Sequence, residues 1–229
     1  MQPIRFPPSL LGVVLVFLVI ASRLPFIGVG FGGDPDAWRV AFSVKQLAET
    51  GVYIPSRPPG YPLPEYFGAL ILKMGLDGPL WLSLPSVLLS AIASLFIFLL
   101  ALPKGKWVAA AVSLLFAFTP VVFVGSLGAM DYMWGIAFFL AACLVMLRGN
   151  WVASGVLLGL AAASRPTYAL GFLPLACMLL DFDFRRCQLE AVCTRCLLFR
   201  SCPRRWRSLF THRYLCVMDL GASRNRTRH

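Results

Sequence analysis

The sequence predicts an all-α, polytopic membrane protein with about six transmembrane helices and a long first loop outside the membrane that carries short interfacial helices. Three observations lead there. Of the 229 residues, 59% are hydrophobic and only 14% charged, against roughly 25% charged in an ordinary soluble domain. The apolar residues gather in uncharged runs, two of them long enough to cross the roughly 30 Å hydrocarbon layer. The charges between the runs are also segregated: all six acidic residues of the first 180 fall on one side of the resulting map.

The first run, Pro7 to Ser22, is read as a retained helix spanning Pro8 to Gly30. Its apolar character resumes after Arg23, and no small-residue cleavage site follows. Gly78 to Pro103 and Trp107 to Met130 are read as full spans. Tyr132 to Leu147, Gly149 to Ser164 and Pro166 to Leu180 are read as spans of reduced length. Tight turns at Lys104-Gly-Lys106 and Arg148-Gly-Asn150 join Arg5 on one side. Asp131, Arg165 and the loop 31–77 share the other. Lys and Arg number six on the loop side and four opposite, so basic residues alone do not orient the chain.

Within the loop, "DPDAWRVAFSVKQLAETG" has the grammar of a surface helix. Asp34 suits the cap, Pro35 the first turn and Asp36 the positive end of the dipole. Val40, Val44 and Leu47 make an apolar stripe, and Gly51 is a natural stop. The following "YIPSRPPGYPLPEY" has prolines at 55, 58, 59, 62 and 64, which forbid a helix and predict a stiff extended wall with a turn at Gly60. A second short helix is expected to begin at Pro64 and Glu65 and end at Gly75.

The loop thus offers carboxylates (Asp34, Asp36, Glu65), cations (Arg39, Arg57) and aromatics (Trp38, Tyr53, Tyr61) at a membrane–water boundary. A carboxylate can accept the proton of an attacking hydroxyl, and an arginine can hold phosphate through charge-assisted hydrogen bonds. Each also has a plainer role: Asp34 and Asp36 as helix caps, Arg39 and Arg57 as headgroup anchors. Asp131 is either a cap or a site residue. Arg165, between two uncharged runs, must reach the interface or face a polar cavity.

Residues 181–229 break the pattern. They hold eleven arginines, no lysine and five of the seven cysteines, and carry most of the net charge. Cys193-Thr-Arg-Cys196, with Cys187, Cys202 and His212 nearby, lacks a second close pair to complete a zinc site. The tail is read as disordered or as translation in a shifted frame, which would make the chain a truncated, inactive fragment.

The motifs "GDPDAWRVAFSVKQLAETGVY", "RPPGYPLPEY", "GAMDYMWGIAFFLAA" and "GVLLGLAAASRPTYAL" together resemble the membrane-embedded C-type glycosyltransferase superfamily over roughly Leu10 to Leu180. Asp34, Trp38, Ala41, Gly51 and Tyr53 match the spacing of its acidic loop motif; the Asp-Pro-Asp form departs from the commoner Asp-Glu pair. The resemblance implies transfer of a sugar, with inversion, from a polyprenyl-phosphate donor to a cell-envelope glycan, lipid or protein. The loop would then face outward from a bacterial inner (plasma) membrane. It makes Asp34 the leading catalytic carboxylate and Asp36 the second, and it gives substrate binding to Arg57, Tyr61, Glu65, Asp131 and Arg165. The implied partners are that donor and the bilayer, with no nucleic acid. No cofactor and no metal ligand is assigned, although a divalent metal remains an option. The alternative function is a small transporter or scaffold without enzymatic activity.

Overall fold

A computed structural model describes residues 7–28, 30–31 and 34–180. Arg5, the glycines before Asp34 and the whole of 181–229, including its cysteines and His212, lie outside the described residues.

Among the described residues the protein is helical throughout, in the order α1 (Pro8–Arg23), α2 (Pro35–Thr50), α3 (Pro62–Lys73), α4 (Pro79–Ala101), α5 (Lys106–Phe118), α6 (Pro120–Gly125), α7 (Tyr132–Leu147) and α8 (Trp151–Ser164). A 3₁₀ turn, Pro166–Gly171, follows α8 and runs on into a last apolar helical stretch reaching Leu180. Proline stands in the first turn of α1, α2, α3, α4 and α6, where its missing N–H costs nothing and its fixed φ suits the helix.

The central element is α4, against which α1, α5 and α7 pack; α7 also packs along α8, and α2 along α3. One face of α4 carries Ser83, Ser86, Ser90 and Ser94, all buried. Such small residues let neighbouring backbones approach closely. The Ser90 and Ser94 hydroxyls donate back into α4, to Val87 O and Ser90 O, while Ser113 of α5 donates to Ser94 O at 2.5 Å. Leu15 and Val19 of α1 meet Phe98 of α4 and Ala109 and Ala117 of α5 in one apolar core.

The loop helix α2 is built as its sequence predicts. Asp34 caps it by accepting the Asp36 N–H at 2.9 Å. Gly51 ends it in the left-handed region at φ +73°, donating to Leu47 O, a conformation open mainly to glycine. Its stripe of Val40, Val44 and Leu47 is buried with Ala69 of α3, Leu82 of α4 and Met130. Helix α3 starts at Pro62, two residues before the expected point.

Two expectations need correction. The run Trp107 to Met130 is not one helix: Thr119 turns the chain and Pro120 starts the six-residue α6, because proline cannot supply the N–H that would continue the ladder. The first helix ends at Arg23 and gives way to turns rather than reaching Gly30. Consequently a single segment among the described residues, Pro79–Lys104, is long and apolar enough to cross a membrane by itself, and the other apolar helices are shorter. Their outward faces are nonetheless apolar. Val13 and Phe17 of α1, Val112 and Leu115 of α5, and Val152 and Val156 of α8 are all exposed.

Candidate active site at the loop face

The site begins with a knot inside the long loop. Glu65, in the first turn of α3, is fully buried. It accepts the Tyr53 hydroxyl at 2.6 Å, the Ser56 N–H at 3.1 Å and the Ser56 hydroxyl. Burial, together with the neighbouring Glu65 carboxylate, pushes the Tyr53 phenol well above its ordinary range, so it remains a donor. Gly60, at φ +104°, passes so close to Tyr53 that a Cβ there would lie 2.9 Å from the phenol oxygen. Ser43 closes the other edge of the loop by donating to Ile54 O. The stiff wall expected from its prolines is therefore also tied at Tyr53, Ile54 and Ser56.

This knot presents the next residue, Arg57, to two carboxylates from distant parts of the chain. Arg57 Nη1 donates to Asp36 Oδ2 at 2.7 Å and Nη2 to Asp131 Oδ1 at 2.6 Å. Asp131, at the head of α7, is 1% exposed, and its second oxygen lies 3.3 Å from Arg165 Nη1 at the end of α8. Asp36 Oδ1 takes Arg39 at 3.2 Å. The result is an unbroken chain, Arg39–Asp36–Arg57–Asp131–Arg165, which joins α2, the loop, α7 and α8. Both arginines that hold Asp131 lie against an aromatic ring: Arg57 is 4.5 Å from the Tyr61 centroid, and Arg165 is 4.3 Å from that of Tyr132.

The electrostatics follow from burial and pairing. Burial pushes the Asp131 carboxyl above its ordinary range, against the downward pull of Arg165 and Arg57. For Arg57, burial works to lower the value, but Asp131, Tyr61 and Asp36 outweigh it and hold the guanidinium above its usual range. The Arg57 Nε–H is buried with no partner among the described residues, so this arginine keeps one donor unspent. Beside Asp131, an apolar cleft is lined by Val44, Phe67, Ile71, Pro85, Met130 and Trp134.

Of the residues singled out from sequence, Asp36, Arg57, Tyr61, Asp131 and Arg165 come together. Asp34 stays at the exposed cap of α2, one oxygen on the Asp36 N–H and the other without a partner among the described residues. Glu65 adjoins the cluster, but the loop's own donors occupy it. Sequence reasoning passed over Tyr132 beneath Arg165 and Arg23 at the end of α1. Arg23 carried a readable signal, being a lone cation between two apolar stretches, as Arg165 is. Among the described residues no group of three or more His, Cys, Asp or Glu side chains could hold a metal ion.

The family profile described as dolichyl-phosphate-mannose-protein mannosyltransferase matches residues 56–198. No curated protein and no solved structure matches the chain. The matched region includes Arg57, Tyr61, Glu65, Asp131 and Arg165; it begins after Asp34 and Asp36 and extends 18 residues past Leu180. Because it covers well over half of the 229 residues, the chain belongs to the dolichyl-phosphate-mannose-protein mannosyltransferase family, a family of glycosyltransferases.

Proposed function

We propose that the chain carries the donor site of a membrane-integral glycosyltransferase that moves a sugar from a polyprenyl-phosphate to an envelope acceptor, with inversion, at the outer face of a bacterial inner membrane. The observation that carries this reading is the buried carboxylate of Asp131 held between Arg57 and Arg165. Two guanidinium groups at that spacing can take the oxygens of a phosphate as they take those of Asp131. The spare Nε–H of Arg57 supplies a further donor, and the growing negative charge on a leaving prenyl phosphate is what such a cluster stabilises. The exposed apolar faces of α1, α5 and α8 suit a lipid environment, and in this reading about six segments, several of them short, cross the membrane.

Within this reading Asp34 is the general base and Asp36 a positioning carboxylate. Both oxygens of Asp36 are taken by Arg39 and Arg57, whereas Asp34 has one oxygen without a partner among the described residues, which in this reading receives an acceptor hydroxyl. Tyr61 backs Arg57, and Glu65 holds the loop that presents it. Mannose, named in the family description, is the first donor sugar to test.

Asp34→Asn separates chemistry from folding, because asparagine caps a helix about as well as aspartate. In membranes supplied with polyprenyl-phosphate mannose, the variant is expected to release prenyl phosphate on the order of 100-fold more slowly or worse, with an unchanged Tm. Release at the wild-type rate would remove Asp34 from the chemistry.

A further inference from the structure

Arg23 is the largest fully buried side chain among the described residues and has no ion-pair partner there. A charge in that position is expensive unless every donor is met. Here its hydrogen bonds reach three separate places. Nη1 donates within α1 to Val19 O at 3.0 Å and to Ser22 Oγ at 3.0 Å. Nη2 donates to Ala117 O at 2.6 Å. Nε donates to Ser126 Oγ at 2.9 Å. The guanidinium also lies against Phe123, 4.9 Å from its centroid, and Phe118, 5.8 Å away.

The break between α5 and α6 explains this choice of partners. Ala117 O stands three residues before Pro120, which has no N–H, and α5 has stopped before the next residue could donate. Arg23 fills the vacancy on one side of the break. On the far side it grips Ser126, whose own hydroxyl donates to Phe123 O at 2.7 Å. From Ser126 the chain runs directly to Asp131. Near its end the Met130 carbonyl accepts the Ser86 hydroxyl of α4 at 3.2 Å. The segment 126–131 is therefore pinned at one end by Arg23 and at the other by Ser86, and it delivers Asp131 between Arg57 and Arg165.

We propose that Arg23 is a positioning residue for the phosphate site: by fixing Ser126 to the end of α1 it sets where Asp131 stands, and with it the separation of the two phosphate-binding arginines. This rests on the reading of that cluster as the donor-phosphate site. Arg23 itself is too deeply buried and too fully engaged to touch the donor. Lysine cannot replace it, since one ammonium cannot meet Val19 O, Ala117 O and Ser126 Oγ from a single point.

The test uses the full chain in lipid nanodiscs with Ser126→Ala, Arg23→Gln and Arg23→Lys, and reads amide exchange over 126–131 and equilibrium binding of farnesyl phosphate. Ser126→Ala removes the Arg23 Nε contact together with the hydroxyl's bond to Phe123 O but spares the Arg23 bonds to Val19, Ser22 and Ala117, so it remains informative if the Arg23 variants do not fold. Exchange over 126–131 is expected to quicken while α4 stays protected, and farnesyl phosphate to bind about tenfold more weakly, the scale of one hydrogen bond to a charged group. Arg23→Lys should not restore either. In an Arg57→Gln background the added Ser126→Ala should cost no further affinity, because both act on the same bridge. Unchanged exchange over 126–131, or a lowered Tm with wild-type affinity, overturns the proposal. If the wild-type chain binds no farnesyl phosphate, the site reading falls, and the exchange result alone decides whether Arg23 pins the segment.

Discussion

Replacing Asp131 with alanine is expected to cost about 3–5 kcal/mol of stability, the range seen when one partner of a buried ion pair is removed. Asp131 is 1% exposed and gives one oxygen to each of two guanidinium groups. Without it, the partly buried Arg57 and Arg165 face each other with no anion between them. Arg57 keeps Asp36, but Arg165 has no other ion-pair partner among the described residues. Asp131→Asn should lie between the two: the amide still accepts one hydrogen bond, yet it loses the charge and turns an N–H₂ toward a cation. The check is a Tm series on the solubilised chain, in which alanine falls furthest and asparagine less. A Tm for Asp131→Ala equal to that of the wild type would mean that the bridge is not formed.

Glu65→Ala should be nearly as damaging for a different reason. The substitution strands three donors at once: the Tyr53 hydroxyl, the Ser56 N–H and the Ser56 hydroxyl. Tyr53 and Ser56 are partly buried, so each donor left unmet costs toward the lower end of about 1–3 kcal/mol, and a loss of about 3 kcal/mol is expected. Tyr53→Phe removes one of the three donors and its cost with it, and should lower stability by about 1 kcal/mol. The effect should also spread to the site, because Ser56 immediately precedes Arg57 and the knot fixes the direction from which Arg57 reaches Asp36 and Asp131. Amide exchange across residues 52–61 is the measurement: fast in Glu65→Ala, moderately raised in Tyr53→Phe. Equal protection in both would show that the prolines alone hold the loop.

The parts of this fold legible in the sequence are those set by local chemistry. Asp34, Pro35 and Gly51 bound α2 as their side chains and backbone preferences dictate, and the apolar stripe of α2 predicts its buried face. Pro120 was equally visible, but an uninterrupted apolar run hides a helix break, since hydropathy counts side chains and not missing N–H groups. What permits the break comes from far away: Arg23 supplies a donor to Ala117 O across 94 positions. Expecting a full span there was reasonable from composition and wrong about the backbone.

The site divides along the same line. Asp131 and Arg165 stand out as charges in apolar surroundings, and Arg57 as a cation fixed among prolines. That Arg57 and Asp131 pair is invisible locally, because 74 positions separate them. Glu65 looked like any loop carboxylate, and only the packing reveals that Tyr53 and Ser56 consume it. The ranking of Asp34 over Asp36 rests on spacing within a motif; the packing shows Asp36 bound to two arginines and Asp34 accepting the Asp36 N–H, with no other partner among the described residues.

The account rests on Arg57 and Arg165 forming a phosphate site, and equilibrium binding of farnesyl phosphate to the full chain in nanodiscs tests this most directly. The comparison is between the wild type and the double variant Arg57→Gln/Arg165→Gln, whose amides still donate to Asp131 without carrying charge. The wild type should bind, and the double variant about 100-fold more weakly, as expected for losing two charge-assisted contacts of about 1.5 kcal/mol each. Equal binding by both, or no binding by the wild type, would contradict it.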